Sequence, residues 1–138
     1  MFFNQNRRAV GEVGIVCTFT MAWGWVPPLL GKMLTAITGI EQFADYAYLQ
    51  QVGDRIINLE RAFNVREGFD RQHDTLPRRM LNEPLLTRGA PGEGQMVRHL
   101  DKFLDQYYQI RGWTKEGIPS AEKLKKLNLS HVISDMNR

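Results

Sequence analysis

The residues that could do chemistry are few and lie far apart along the chain. The single cysteine, Cys17, stands in the apolar run Ile15–Phe19, and the three histidines are His73, His99 and His131. No histidine lies one helical turn from another histidine or from the cysteine, so we expect no self-contained metal site. A lone thiol also excludes an intrachain disulfide and a zinc site built from several thiolates.

Cys17 allows two interpretations from its neighbours alone. Cysteine is among the most often buried residues, and in an apolar run it can serve as a small core side chain. A reactive or metal-binding cysteine acts as its thiolate, which a nearby histidine or cation would favour, and no such residue is adjacent. The carboxylates show no spacing that defines an acid/base pair. We therefore predict no catalytic residue, and the residues themselves leave the role of Cys17 open.

Composition and charge narrow the class of protein. The chain has 138 residues, of which 43% are hydrophobic and 24% charged, which is typical of one globular domain. Its net charge is +3, and no block of five like charges occurs, so we expect no nucleic-acid partner.

The apolar stretch between Val13 and Ile40 calls for a membrane test. Pro27 and Pro28 interrupt it, and it offers no run of ~18 uninterrupted apolar residues, so we expect no membrane-spanning helix. The segment Trp23–Trp25 is a poor cleavage region for a signal peptide. We expect a cytoplasmic chain.

Helical spacing of apolar residues dominates the sequence and predicts a mainly α fold, an irregular helical bundle with a long loop at about 64–94. The segments with helical signals are a short amino-terminal helix over 1–12, and helices over 28–38, 46–63, 95–111 and 121–127. Gly39 and Gly112 are the expected carboxyl-terminal caps, and Ser120 is the expected cap of the last helix.

The clearest helix should turn an apolar stripe to the core, with Asp54 and Arg61 off that stripe. The stripe comprises Leu49, Val52, Ile56, Leu59 and Phe63. Gly53 inside this helix indicates that another backbone packs close to it.

Three other segments carry weaker signals. The run Ile15–Phe19 fits either a buried extended turn or strand or the start of a buried helix. Met80 and Leu81 can form a single turn within the long loop, and residues 128–138 look like a fraying tail.

Four segments together resemble a known family. They are Gly53–Phe69, Asp74–Arg79, Leu100–Trp113 and Gly117–Pro119. In order and approximate spacing they resemble the carboxyl-terminal region of the tungsten-containing aldehyde:ferredoxin oxidoreductases. The resemblance extends from about Glu12 to Leu129.

The resemblance gives Cys17 a role. Family members carry an Asp-x-x-Gly-Leu-Cys segment whose cysteine is the last of four ligands to a 4Fe–4S cluster, and the residues before it approach the pterin of the tungsten cofactor. Here Glu12 stands at the Asp position, Ile15 at the Gly, Val16 at the Leu and Cys17 at the ligand. The resemblance therefore implies a metal ligand at Cys17 and cofactor contacts at Glu12, Ile15 and Val16. It assigns no role to His73.

The resemblance also implies that the chain is one part of a larger enzyme. A cubane cluster takes four thiolates, and this chain supplies one. We expect residues 1–138 to form a single helical carboxyl-terminal domain, a fragment or a separately encoded part of the oxidoreductase. The complete enzyme would hold the 4Fe–4S cluster and tungstopterin and pass electrons to ferredoxin, whereas the isolated chain would bind neither cofactor and be inactive alone.

Two further expectations follow from this division. Surface that packs on the upstream domains of the enzyme would be exposed in the isolated chain and cause it to self-associate. The residues expected on that surface are Phe2, Phe3, Phe19, Trp23 and Trp25. The alternative function is a non-catalytic helical interaction module derived from this domain, which the altered residues before Cys17 favour. An upstream reading frame with a Cys-x-x-Cys-x-x-x-Cys group would indicate the enzyme.

Overall fold

The structure, a computed structural model, describes residues 2–21, 26–86, 88–89 and 91–137. These residues form α-helices and short 3-10 turns, with no β-strand among them, which confirms the mainly α prediction. The α-helices are α1 (Phe2–Val13), α2 (Thr18–Met21), α3 (Val26–Thr38), α4 (Tyr46–Arg66), α5 (Arg78–Asn82), α6 (Leu100–Arg111) and α7 (Ala121–Lys126). The 3-10 turns are Glu41–Ala44, Arg71–His73, Ser130–Val132 and Asp135–Asn137.

The long helix α4 is the axis of the bundle, and α1 packs along it. The carboxylate of Asp45 caps α4 by accepting a hydrogen bond of 2.9 Å from the Ala47 N–H. A Cβ added at Gly53 would lie 2.3 Å from the backbone oxygen of Asn6 in α1. The predicted close approach of a second backbone at Gly53 is therefore confirmed, and that backbone is α1.

Two apolar clusters lie at different places along α4. The amino-terminal cluster consists of buried Val10, Leu30 and Leu49 with Val16, Leu34, Phe43 and Val52 packed against it. The tail cluster consists of buried Ala62, Leu124, Leu127, Leu129 and Val132 with Ile133 and Met136 packed against it. The first holds α1 and α3 on α4, and the second holds α7 and the segment after it.

The face that α4 buries differs from the predicted one. Leu59 and Phe63 are 45% and 54% exposed, whereas Asn58 is fully buried and Asp54 and Arg61 are 7% and 8% exposed. Apolar spacing located the helix correctly and gave the wrong rotation for its second half. Buried polar side chains are stable when they are hydrogen-bonded, and each of these three has partners from other elements.

The predicted helix caps agree with the structure, whereas the predicted start of one helix does not. Gly39 and Gly112 both have a φ of +72°, and the Ser120 hydroxyl accepts the Lys123 N–H at 3.1 Å, so the predicted caps are confirmed. The helix predicted over 95–111 begins only at Leu100. The predicted turn at residues 80–81 lies within α5.

Two other expectations were wrong. The run Ile15–Phe19 is not buried, since Ile15 and Phe19 are 93% and 86% exposed, and it forms a turn that leads into α2 at Thr18 instead of a strand or a buried helix. The expected fraying tail is packed instead, since Leu129 and Val132 are 4% and 8% exposed in the tail cluster. No helix in the described ranges is long and apolar enough to cross a membrane.

Candidate functional site

The structure brings Glu12, Ile15, Val16 and Cys17 together where α1 ends. Helix α1 closes with two backbone hydrogen bonds, from the Ile15 N–H to the Glu12 carbonyl at 3.0 Å and from the Val16 N–H to the Gly11 carbonyl at 2.9 Å. This pair of bonds is the Schellman pattern, in which the residue after the cap takes the left-handed conformation. The chain is thereby turned sharply away from the helix axis just before Cys17.

Ile15 occupies the left-handed position, with a φ of +56°. A β-branched side chain is unusual there, because that conformation costs an L-residue about 1–2 kcal/mol. The resemblance places a glycine at this position, and glycine adopts this conformation freely. The geometry of the turn thus explains the family's glycine, and Ile15 departs from it at a backbone cost.

Cys17 is exposed, so the interpretation as a core side chain was wrong. Its carbonyl accepts hydrogen bonds from the Thr20 N–H at 3.0 Å and from the Thr20 hydroxyl at 2.7 Å, which fixes the backbone at the start of α2. The thiol is therefore presented at the surface on a backbone that is tied at both sides.

The residues before Cys17 divide into outward and inward positions. Glu12 and Ile15 are exposed, and Ile15 is 93% exposed. Val16 is half-buried and packs on the amino-terminal cluster, so its side chain anchors the segment from below. Glu12 lies in the last turn of α1, where the negative end of the helix dipole disfavours a carboxylate. A hydrogen-bond donor from outside the chain would relieve that repulsion.

Cys17 can supply one metal ligand and no more. In the part of the chain that the structure describes, no group of three His, Cys, Asp or Glu side chains could hold a metal ion. His73 instead closes a turn: in a capping box its Nδ1 accepts a hydrogen bond from the Asp70 N–H at 3.2 Å, and it also lies 2.9 Å from Asp70 Oδ1. The pKa of Asp70 is lowered, mainly by the hydrogen bond that its carboxylate accepts from the Gln72 N–H and also by its contact with the His73 side chain.

Large apolar side chains are exposed on α1, α2 and α3. Phe3, Phe19 and Ile37 are 67%, 86% and 78% exposed. Trp23 and Trp25, which were also expected on this surface, lie outside the described residues. Phe2 was expected to be exposed and is half-buried, because its ring lies 4.2 Å from Arg111 Cζ.

A buried polar core that the sequence reasoning missed lies near the opposite end of α1 from Cys17. Its hub is the Asp54 carboxylate on α4, which accepts hydrogen bonds from Arg111 Nη1 at 3.0 Å and from Asn58 Nδ2 at 3.1 Å. Its second oxygen pairs with Lys123 Nζ on α7. One carboxylate thus joins α4, α6 and α7 and is compensated by two cations.

Arg111 connects the same core to α1. It is completely buried at the carboxyl terminus of α6, where a positive charge also suits the helix dipole. Its Nη1 donates to Asn6 Oδ1 at 2.6 Å, and its Nη2 donates to Gln5 Oε1 at 2.8 Å. Its Nε donates to the Tyr107 hydroxyl at 3.0 Å. All three nitrogens of the guanidinium are therefore engaged.

A second buried arginine, Arg61, makes a separate set of contacts further along α4. It forms two hydrogen bonds to the Asp74 carboxylate, at 2.9 and 2.6 Å, and donates to the Gly117 carbonyl at 2.7 Å. Tyr108 donates its hydroxyl proton to the same carboxylate, and burial and this hydrogen bond raise the pKa of Tyr108. These contacts fix the loop after α4 and the turn before α7.

One signal in the sequence could have revealed this polar core. Asp54, Asn58 and Arg61 recur at spacings of four and three, which places them on one helical face beside Gly53. A glycine chosen for close packing marks the face that is buried. The polar side chains on that face are therefore the buried ones.

Comparison with known proteins gives one family. The family model described as "Aldehyde ferredoxin oxidoreductase, domains 2 & 3" matches residues 1–129. The chain is 39%, 40% and 41% identical to the tungsten-containing aldehyde ferredoxin oxidoreductases of Pyrococcus abyssi, Pyrococcus horikoshii and Pyrococcus furiosus. These matches cover 94%, 94% and 91% of this chain and 20% of each relative, so the chain spans about a fifth of their length.

Two other proteins are similar over the same region. The chain is 25% identical, over 95% of its length and 21% of the relative, to an aliphatic sulfonate oxidoreductase, WOR-like subunit, of Pyrococcus furiosus. The solved active site complex BamBC of benzoyl coenzyme A reductase matches with a TM-score of 0.59 and 28% identity. That match covers 79% of this chain and 15% of the solved one.

Proposed function

The chain belongs to the aldehyde ferredoxin oxidoreductase family, as its domains 2 and 3 region, and from that membership we propose that Cys17 supplies one thiolate to a 4Fe–4S cluster in a larger tungstopterin enzyme. Residues 1–138 act in it as one helical carboxyl-terminal domain. The complete enzyme would convert an aldehyde and water into the acid, releasing two protons and passing two electrons to ferredoxin. This chain alone would be inactive.

The exposure of Cys17 is the observation that supports this role. A cluster held by four thiolates needs three cysteines from outside this chain, so its fourth ligand has to lie at a surface where another part of the enzyme can meet it. Cys17 lies at such a surface, and the exposed side chains of Ile15 and Phe19 flank it. Apolar side chains of this size suit a surface that is covered in the complete enzyme.

The other residues of the segment would support the cofactors in different ways. The tungsten cofactor and the cluster supply the redox chemistry, and the protein supplies position and electrostatics. Glu12 would accept hydrogen bonds from pterin N–H groups with its exposed carboxylate. Ile15 would shield the cofactor edge from water, and Val16 would hold the segment on the amino-terminal cluster.

No residue of this chain is assigned to substrate choice. Proteins similar to this region carry the names of aldehyde, aliphatic sulfonate and benzoyl-CoA enzymes. A scaffold shared by proteins with such different names is better suited to holding cofactors than to selecting a substrate.

The test is to assemble the cluster with and without the thiol. We would co-express this chain with an upstream segment that carries a Cys-x-x-Cys-x-x-x-Cys group, and measure iron content and the low-temperature EPR spectrum before and after reduction. We expect a reduced 4Fe–4S signal with the native chain, and loss of iron or a three-iron signal with Cys17→Ala. Val13→Ala, which alters an exposed residue at the end of α1, is the matched control and should retain the signal. An unchanged iron content and spectrum in Cys17→Ala would refute the ligand role.

A non-catalytic interaction module is the second candidate function. Ile15 favours it, because this side chain adds bulk where the resemblance implies a glycine and a close approach of the backbone to the cofactor. In this case the co-expressed segments would form a complex that contains no iron. The same iron measurement therefore separates the two functions.

The exposed apolar side chains near Cys17 also lead us to expect self-association of the isolated chain. Sedimentation velocity over a range of concentrations should show species larger than a monomer, and the double variant Phe19→Ser/Ile37→Ser should shift them toward monomer. Phe63→Ser removes an exposed ring of the second half of α4 and serves as the control. A strictly monomeric chain at high concentration would contradict the expectation.

A further inference from the structure

We propose that Arg111, at the end of α6, is a positioning residue for Cys17 and acts on it through α1. Arg111 contacts the amino-terminal part of α1, whereas Cys17 follows the carboxyl-terminal end of that helix. This inference rests on the proposed ligand role of Cys17 and concerns how the thiolate is kept in place. The thiolate of a shared cluster has to meet ligands from another part of the enzyme, so its location has to be fixed before assembly.

The first turn of α1 is attached to the bundle through polar groups. Asn6 is 1% exposed, its amide donates to the Gln50 carbonyl at 3.1 Å, and its oxygen accepts from Arg111 at 2.6 Å. Gln5 accepts from both Arg111 and the Tyr107 hydroxyl, at 2.8 and 2.9 Å. A buried acceptor that loses its donor is costly, so these contacts define one rotation and one height of α1 on α4.

The middle of α1 is attached through small apolar contacts. Ala9 and Val10 are both 4% exposed, and Val10 belongs to the amino-terminal cluster. Apolar packing tolerates small rotations more readily than a set of directed hydrogen bonds does. Val10 therefore acts as a pivot, with the Arg111 contacts on one side and Cys17 on the other.

Only arginine can make this connection. Its fixed planar fork reaches Asp54 on α4, two side chains on α1 and Tyr107 on its own helix at the same time. The ring of Phe2 lies against the guanidinium, with 4.2 Å to its Cζ. A lysine has one nitrogen and no plane, so it can satisfy part of this set and cannot stack on the ring in the same way.

Asp54 remains paired when Arg111 is removed, since Lys123 contacts its other oxygen. The Asn6 and Gln5 oxygens have no such second cation. Removing Arg111 therefore affects mainly α1. We expect the first turn of this helix to move toward water, while the tail cluster keeps its packing.

The experiment measures the position of Cys17 without any metal. Cys17 is the single cysteine of the chain and is exposed, so a nitroxide can be attached to it directly. The second label is attached at Asn64→Cys, near the end of α4. Val16, the neighbour of Cys17, packs on the amino-terminal cluster, which includes Leu49. Residue 64 lies about 22 Å beyond Leu49 along the helix. Double electron–electron resonance then reports the distance between the two labels. The labelled chain is diluted with unlabelled chain so that only distances within one molecule are measured.

We expect a narrow distance distribution in the otherwise native chain and a distribution at least twice as broad, with a shifted maximum, in Arg111→Met. Arg111→Lys should give an intermediate width. Arg61→Met is the matched control, because it removes a buried arginine of similar burial that contacts Asp74 and the Gly117 carbonyl instead of α1. It should leave the distance unchanged.

An unchanged distribution in Arg111→Met, or an equal change in Arg61→Met, would overturn the proposal. If Arg111→Met lacks a helical circular dichroism spectrum, Arg111→Lys and Gln5→Ala decide, and no broadening in either overturns it. The distances need no iron, so this result is separate from the EPR test of Cys17. A cluster that forms without Cys17 refutes the ligand role and leaves the measured distances standing.

Discussion

The tail cluster and the amino-terminal cluster are both buried and differ in the surface that lies beside them. In the tail cluster Leu124, Leu127 and Leu129 are no more than 4% exposed. Next to the amino-terminal cluster, Ile15 and Phe19 are 93% and 86% exposed. The difference teaches that the two ends of one helical axis serve different purposes. One end is complete within this chain, and the other presents apolar surface to something else.

The tail end is complete because the chain folds back over it. After α7 the Leu129 N–H donates to the Leu124 carbonyl at 2.8 Å, and Arg55 Nε donates to the Leu127 carbonyl at 2.9 Å. These bonds hold the last segment on α4 and keep the leucines of that segment buried from solvent. In the described part of the amino-terminal end, no segment closes over Phe19 in this way.

We expect the largest effect on stability at Asp54, in the buried polar core between the two ends of α4. Asp54→Asn removes the carboxylate that pairs with Arg111 and Lys123 and leaves a fully buried guanidinium without its counter-charge. We expect a loss of about 3–5 kcal/mol in the free energy of unfolding, measured with urea.

The control for Asp54 is Asp101→Asn, whose side chain is 92% exposed in its pair with Arg71. We expect it to change stability by less than about 1 kcal/mol. Equal effects of the two variants would mean that the buried core does not join the ends of the molecule.

Leu124→Ala tests the completeness of the tail cluster directly. Leu124 is fully buried, so truncation should leave a cavity and cost about 2–5 kcal/mol in thermal or urea unfolding. Ile37→Ala removes a side chain that is 78% exposed at the other end and should change stability by about 0.5 kcal/mol or less. A large loss in Ile37→Ala would show that the amino-terminal end is more completely packed than its exposure indicates.

Gly53→Ala should cost less than these core changes and act at the contact of α1 with α4. The added Cβ would come within 2.3 Å of the Asn6 carbonyl oxygen, which belongs to backbone and cannot simply rotate away. We expect a loss of about 1–3 kcal/mol in chemical unfolding. Gln51→Ala alters an exposed residue of the same helix and should be close to neutral. A stabilised Gly53→Ala variant, as helix propensity alone predicts, would contradict the close contact.

The smallest effect is a gain at the turn before Cys17. Ile15→Gly relieves the left-handed strain of about 1–2 kcal/mol, and the greater freedom of unfolded glycine offsets about 0.5–1 kcal/mol of it. We expect a net gain of about 0.5–1 kcal/mol by differential scanning calorimetry. Asn128 has a φ of +59°, and asparagine tolerates this conformation, so Asn128→Gly should be nearly neutral. A loss of stability in Ile15→Gly would show that the side chain contributes more packing than its exposure indicates.

Local signals predicted the fold best where one residue determines the geometry. Gly39, Gly112 and Ser120 act through their own backbone or hydroxyl, so their effects are visible in sequence. The rotation of α4 was not predicted, because hydrophobicity alone ranks Phe63 as inward and Asn58 as outward. Only the hydrogen bond that Asn58 accepts from the ring N–H of Trp113, 55 residues away, reverses that order.

The resemblance predicted where the candidate site lies in the sequence. It did not predict that Cys17 is exposed. The resemblance aligned Cys17 with a ligand, whereas its apolar neighbours favoured burial. The outcome depends on the turn at Ile15, which requires a left-handed residue and gave no signal because isoleucine rarely adopts that conformation.

The contacts of Arg111 with α1 also have a consequence for the order of folding. The bond from Arg111 to Asn6 spans 105 residues, and that to Gln5 spans 106. During synthesis α1 therefore emerges from the ribosome about 105 residues before the arginine that binds it, and contacts so distant in sequence form slowly. Helix α1 therefore stays incompletely docked until α6 has been made.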